Sequence, residues 1–335
     1  MQKMIGKYTA GILMALSASA VLAHGESIRG GGGGGAINAI GAEILEKKVV
    51  SYRFDGRRYS TFTPQQMVEF KQQGEDVHMH SEEDANFLSL GFPVSDDMDI
   101  NILAQYNNFK GFVDNGDEAA NACFGITEHS KIPTNPDTKC LSRTPTSPGI
   151  GDTLVTGRYR FYSSDNHQIA SIFGVIVPTG TVTNVTGTGT GEIIGTHNQP
   201  GSGAITFQGG LGYSGHLMNG KIGITADTIF RAPTQGAKQF QTGRSMQADI
   251  AASYTMGKFT PVVELNYVYF LQDIEAYEVK PNSGGASLAL SPGFSYAVTD
   301  SIGVFANYSF LKNWLTGISN DENYRFSGGI AYAFD

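Results

Sequence analysis

Apolar and polar residues alternate one by one along most of the chain, the period of strands with two unlike faces. Met246, Ala248, Ile250, Ala252 and Tyr254 share one side of their segment, and Gln247, Asp249 and Ser253 share the other. Val263, Leu265, Tyr267, Tyr269 and Leu271 stand opposite Glu264, Asn266 and Gln272 in the next. Val155, Gly157, Tyr159 and Phe161 stand opposite Thr156, Arg158 and Arg160 in an earlier one. The pattern predicts strands near 46-55, 84-94, 98-110, 151-163, 167-179, 203-217, 221-233, 243-256, 259-273, 284-298, 301-313 and 323-334.

Short and long connections alternate between them. Ser95-Asp96-Asp97, Ser163-Ser164-Asp165-Asn166, Met218-Asn219-Gly220, Met256-Gly257-Lys258 and Thr299-Asp300 have tight-turn chemistry. The other connections are longer, at about 56-83, 111-150, 180-202, 234-242, 274-283 and 314-322. The pattern predicts an all-β fold: a transmembrane antiparallel up-and-down β-barrel of about 12 strands, with short periplasmic turns, long extracellular loops and both termini periplasmic. A soluble β-sandwich alternates in the same way. The polar face here is rich in Gly, Ser, Thr, Asn and Gln with few Lys, which suits a wet, confined lumen better than a free surface. In the first long loop, Thr63-Pro64-Gln65-Gln66 reads as an N-cap, a first-turn proline and a capping-box Gln, predicting a helix from about Pro64 to Gln73.

The N-terminus brings in the membrane. Lys3 and Lys7 precede the apolar run Gly11 to Leu22, too short for a stable anchor, and Val21-Leu22-Ala23 offers small residues for cleavage. Residues 1-23 are expected to be a signal peptide cut after Ala23, although Ala18-Ser19-Ala20 fits a cut after Ala20 equally. Residues 24-45 form a Gly-rich segment, a plug or a linker. Gly30 to Gly35 would be flexible, and Ile37, Ile40, Ile44 and Leu45 fall at helical spacing. Residues 46-335 then make the barrel. No later stretch of eighteen apolar residues exists to form a transmembrane helix, so a membrane would be crossed by strands. At the other end, Gly329-x-x-Tyr332-x-Phe334 resembles the terminal signal read by barrel-assembly machinery, with Asp335 one residue beyond it.

Composition agrees with this. Tyr (15) and Phe (20) against a single Trp suit strands and aromatic girdles. Removing Lys3 and Lys7 and no acid takes the net charge from −8 to −10, which argues against a nucleic-acid partner. In an exported chain Cys123 and Cys140 are expected to form a disulfide.

Several groups could carry chemistry. Arg158 and Arg160 should face the lumen together, because an arginine at the lipid midplane costs about 2 to 4 kcal/mol. With lumen acids such as Asp249 and Glu264 they form either an internal ion-pair network or a charged, selective constriction. His78 and His80, followed by Glu82, Glu83 and Asp84, could bind copper or zinc from an extended segment, or simply be solvated. Ser214 and His216 share a face, but no hydrolase motif accompanies them. Pro178 and Pro292 mark either a wall opening or ordinary strand ends and bulges. No enzyme and no cofactor is expected.

A set of short blocks follows in order. These are His78-Met-His80-Ser-Glu-Glu-Asp-Ala-Asn-Phe-Leu-Ser-Leu-Gly, the turn Ser95-Asp-Asp-Met-Asp, and Gly149-Ile-Gly-Asp152 ahead of Arg158-Tyr-Arg160-Phe. Next come Gly174-Val-Ile-Val-Pro178-Thr-Gly180, Gln199-Pro-Gly-Ser-Gly203, and Asn282-Ser-Gly-Gly285 before Leu290-Ser-Pro-Gly293. Over roughly 78-335 the ordered set resembles the outer-membrane transporter family named for the MetA pathway of phenol degradation. The resemblance implies a barrel for uptake of small, often aromatic or apolar, molecules, and brings no catalytic residues. The expected function is a passive channel for a small-molecule solute, surrounded by outer-membrane lipids. The alternative is a closed barrel acting as a surface binding or structural protein, metal-binding through its loops.

Overall fold

The structure, a computed structural model, describes residues 37–72, 78–114, 141–185, 199–279, 283–315 and 322–335. The expected signal peptide and the Cys123–Cys140 disulfide lie outside these residues. Twelve antiparallel strands form the wall: β1 (Lys48–Tyr59), β2 (Glu82–Ser95), β3 (Met98–Asp114), β4 in two pieces (Ser142–Ile150 and Thr153–Ser163), β5 (His167–Val177) and β6 (Thr206–Leu217). They continue as β7 (Ile222–Pro233), β8 (Ser245–Tyr254), β9 (Phe259–Phe270), β10 (Gly285–Ala297), β11 (Ile302–Leu315) and β12 (Glu322–Phe334). Each pairs with its sequence neighbours, and β1 pairs with β12 from Lys48↔Phe334 to Tyr59↔Glu322, which closes the sheet. Closure leaves the ring of strands without a free edge apart from the Ser142–Ile150 piece of β4, which pairs on one side, and a closed ring is the condition for a sheet to stand in hydrocarbon.

Burial is the inverse of a water-soluble protein. Glu264 is fully buried while Val263 beside it is 52% exposed, and the same reversal runs around the wall. Leu88, Phe207, Leu211, Ile250 and Phe326 face outward in the open. Asp99, Asn101, Thr156, Arg158, Gln208, Asp227, Gln247, Asp249 and Ser327 are buried inside. This choice between lipid-facing and core-facing apolar residues is the one that alternation alone left open. On the outer wall, Ala226, Thr228 and Ala248 leave a groove of about 570 Å³ between Leu211 and Tyr213 on one flank and Ile250, Leu265 and Tyr267 on the other. It opens away from the lumen.

The third and fourth strands run further than the pattern predicts. Ser142–Ile150 carries Pro145 and Pro148 and little apolar alternation, so it reads as loop, yet it pairs with Tyr106–Asp114 as an upward extension of the wall. Among the described residues its other edge meets the following loop, through Thr181 N–H to the Ile150 carbonyl at 2.7 Å, where prolines do no harm to a ladder. The break at Gly151 and Asp152 is where several of the family-like blocks converge. The Asp152 carboxylate accepts from Gly180 N–H at 3.0 Å and from Ser202 N–H at 2.9 Å, and Gln199 exchanges two bonds with the Asn184 backbone. Pro178 lies just past the end of β5. Pro292 sits within β10, where the ladder to β11 lapses for two residues without changing register.

The long loop after β1 carries α1 (Pro64–Gln72), as its capping box predicts: Thr63 N–H bonds Gln66 Oε1 at 2.9 Å and Gln66 N–H bonds Thr63 Oγ1 at 3.3 Å. Met67 and Val68 bury against Met79 and Leu141, with Phe62, Phe70 and Val113 around them. No helix among the described residues is long and apolar enough to cross a membrane.

Candidate functional site: a strap across the lumen

The segment before β1 does not form the helix that Ile37, Ile40, Ile44 and Leu45 suggest. It crosses the lumen as an irregular strap that bends at Gly41, and five of its N–H groups point to side-chain oxygens of the wall. Asn38 N–H bonds Glu264 of β9 at 2.9 and 3.0 Å, with Ile37 N–H on the same carboxylate. Ile40 N–H bonds Asp227 of β7 at 2.7 Å, and Ala42 N–H bonds Ser214 Oγ of β6 at 2.9 Å. Leu45 N–H bonds Asp99 of β3 at 2.8 Å. Arg158 of β4 donates to the Ile40 carbonyl at 3.2 Å, and Arg53 of β1 donates to Asn38 Oδ1 at 3.1 Å. Glu43 pairs with His216 at 2.9 Å. The strap is therefore tied to β1, β3, β4, β6, β7 and β9.

Its side chains fill the space between these ties. Ile40 belongs to a buried apolar cluster with Phe87, Leu103, Leu154, Ile172, Ile176 and Ile229, drawn from β2, β3, β4, β5 and β7. Ile37 and Ala39 pack in another with Ala251, Val262 and Phe305. Two glycines make the approach possible. Gly41 has φ +66°, and a Cβ on Gly212 would stand 2.2 Å from the Gly41 carbonyl oxygen. The seat lies toward the short-turn end. Glu264 and Asp227 are five residues inside their strands from that end, and Asp99 is one.

The expected lumen residues are present but differently partnered. Arg158 and Arg160 do face one way, yet Arg158 pairs with Asp99, both buried, and Arg160 pairs with Asp97 in the exposed turn at 2.9 Å. Neither meets Asp249 or Glu264. Glu264 holds the strap, and Asp249 accepts from Gln247 and from Asn266 at 3.1 Å. Ser214 and His216, which share a face without a hydrolase motif, both bind the strap. Sequence reasoning passed over Asp99, Asp227, Arg53 and Arg231. The signal for two of them is plain in retrospect: Asp227, Ile229 and Arg231 share the inward side of one strand, where charge has no reason to be unless it has a partner.

Above the strap, Arg57 pairs with Glu83 at 3.0 Å, and Tyr59 Oη donates to Glu83 at 2.8 Å. His80 lies at this mouth, its ring edge-on to Tyr59 at 4.2 Å and to Phe109 at 5.3 Å. Burial, together with the Arg57 charge, pushes its imidazole down from 6.5 to about 4. The side chain of His78 lies outside the described residues, and among the described residues no group of three or more His, Cys, Asp or Glu could hold a metal ion. The depressed value has a sign. Between pH 6.5 and 4 the unfolded chain binds a proton that folded His80 refuses, so its contribution is complete above 6.5 and is lost as pH falls toward 4. Wild type should therefore lose thermal stability relative to His80→Phe across that window. Parallel curves from pH 7 to 4 would show that His80 does not carry it.

The pattern of the family described as "Putative MetA-pathway of phenol degradation" matches residues 111–318. The chain belongs to this family. Among solved structures, this MetA-pathway family member is similar to the COG4313 outer membrane channel from Pseudomonas putida F1. The match has a TM-score of 0.56 and 10% identity and covers 88% of this chain and 97% of that one. That likeness shows the fold, an outer-membrane β-barrel. The KdgM porin (TM-score 0.41, 10% identity, 86% and 99% covered) is more distant. So is the translocator domain of NalP from Neisseria meningitidis (0.44, 11%, 86% and 88%). Curated protein sequences give no match.

Proposed function

We propose that the protein is a passive outer-membrane channel for small solutes, aromatic or apolar ones among them, whose lumen is held shut toward its short-turn end by residues 37–45. The carrying observation is the strap itself. It ties six strands together and brings Ile40 into one apolar cluster with residues of five, so no water file is expected to pass at that level. The ties are individually modest, of about 1.5 to 3 kcal/mol for bonds to charged groups, which suits a part that must hold and also leave. The short turns and both termini then face the periplasm, as in other bacterial barrels. Lys47 and Asp335 meet at this rim, 2.7 Å apart.

Gly212 and Gly209 give a matched test. A methyl group on Gly212 collides with the strap, whereas on Gly209 its nearest neighbour is 3.9 Å away. Gly212→Ala should speed the swelling of liposomes in arabinose or benzyl alcohol by about tenfold, as a blocked constriction is unseated, and Gly209→Ala should match wild type. Equal rates for all three proteins would sink the reading.

A further inference from the structure

Arginine carries a planar fork of donors, and the edge formed by Nε and Nη2 can donate to both oxygens of a carboxylate at once. This chain uses that edge repeatedly. Arg53 gives it to Asp55, Arg158 to Asp99 and Arg325 to Glu322, each pair on both oxygens, and Arg160 points both nitrogens at one oxygen of Asp97. Arg231 does not. It projects from β7 into the lumen, 3% exposed, and its Nη1 donates to Gln247 Oε1 at 2.8 Å. Among the described residues its Nε and Nη2 have no hydrogen-bond partner. Gln208, directly across the ladder from Arg231, also has an unmet Oε1.

Burying a guanidinium with its best edge unmet is costly, because the group cannot shed its proton. The acids nearest in sequence, Asp227 and Asp249, balance part of its charge from a distance, but neither bonds its fork: Asp227 takes Ile40 N–H on one oxygen and Asp249 takes Gln247 and Asn266. Asp227 also lies four residues nearer the short-turn end, about 13 Å along the strand. Beside the polar Gln208 and Gln247, inward-facing apolar side chains lie near the level of Arg231. Ile229 is next on its own strand, and Val268 and Phe270 stand on β9 opposite Gln247 and Ser245, all three buried.

We propose that Arg231 is a carboxylate-binding subsite on the long-loop side of the strap. It would take a small organic acid whose two oxygens meet Nε and Nη2 and whose hydrocarbon part lies against Ile229, Val268 and Phe270. This deepens the channel reading and rests on it for the solute's route, but not for its binding. A solute entering from the long-loop mouth meets this fork before it meets the strap.

Equilibrium dialysis of radiolabelled benzoate against the full chain in detergent tests the subsite without requiring conduction. Wild type should bind benzoate, and the neutral isostere benzamide should compete about tenfold more weakly or worse, as expected for loss of a charge-assisted bidentate pair. Arg231→Gln should weaken benzoate by about tenfold or more while keeping the gel mobility shift of a folded barrel, and Arg231→Lys should recover only part of the affinity. If Arg231→Gln fails to fold, wild-type crystals soaked in 4-bromobenzoate decide, with the bromine signal expected beside Arg231. No binding, equal competition by benzamide, equal affinity of a folded Arg231→Gln, or bromine bound only elsewhere would each overturn the subsite. Failure of the channel reading looks different: benzoate still binds wild type, while Gly212→Ala leaves flux unchanged.

Discussion

A chain lacking residues 24–45 should conduct in planar bilayers about tenfold or more above the intact protein, since a dry apolar constriction is replaced by a polar, water-filled one. The barrel itself should survive. Its twelve ladders close through β1 and β12 without any residue of the strap, so the deletion should still show the gel mobility of a folded barrel. What it loses is the burial of Ile37 and Ile40, about 1.5 to 3 kcal/mol each, offset in part by the entropy the strap regains. The carboxylates of Asp99, Asp227 and Glu264 lose backbone donors, but water replaces them once the lumen is open. A folded deletion that stays electrically silent would move the barrier to the loops at the mouth. The alternative function, a closed barrel serving as a surface platform, would then be the better account.

How much of this was legible in the sequence follows from which interactions are local. Strands, tight turns and the capping box at Thr63 and Gln66 depend on residues near one another, and all twelve strands and the capping box are found, although the first, third and fourth strands run beyond the expected bounds. Strand faces follow from period two, so the opposite sides of Val263 and Glu264 were readable without knowing what covered either. The strap was not readable. A segment enclosed on all sides has no face to bias, and Ile37, Ile40, Ile44 and Leu45 imitate a helical stripe by coincidence. Its N–H groups are satisfied by wall carboxylates rather than by carbonyls four residues back, and Gly41 takes a left-handed conformation inside the would-be helix. Partner choice was equally hidden. The inward direction of Arg158 is a local fact, but which acid it meets depends on the register of β3 against β4, where Asp99 stands directly opposite.

That register sets the last prediction, a contrast between two arginines the sequence treats as one pair. Arg158→Ala should destabilise the barrel by about 3 to 5 kcal/mol in urea unfolding from lipid vesicles, the cost of leaving a buried carboxylate without its guanidinium. Asp99 and Arg158 are 2% and 3% exposed, and Leu45 N–H would be the remaining donor in these bonds to Asp99. The Ile40 carbonyl would lose a partner as well, so strap and wall should weaken together. Arg160→Ala should cost no more than about 1 kcal/mol, because its partner Asp97 is 55% exposed and water screens the pair. Both substitutions remove one arginine from the same face of the same strand, so composition and helix or strand propensity cannot separate them. Similar losses for the two would mean that Arg158 and Asp99 are hydrated in the membrane, and that the strap is seated on a wet lumen rather than a packed one.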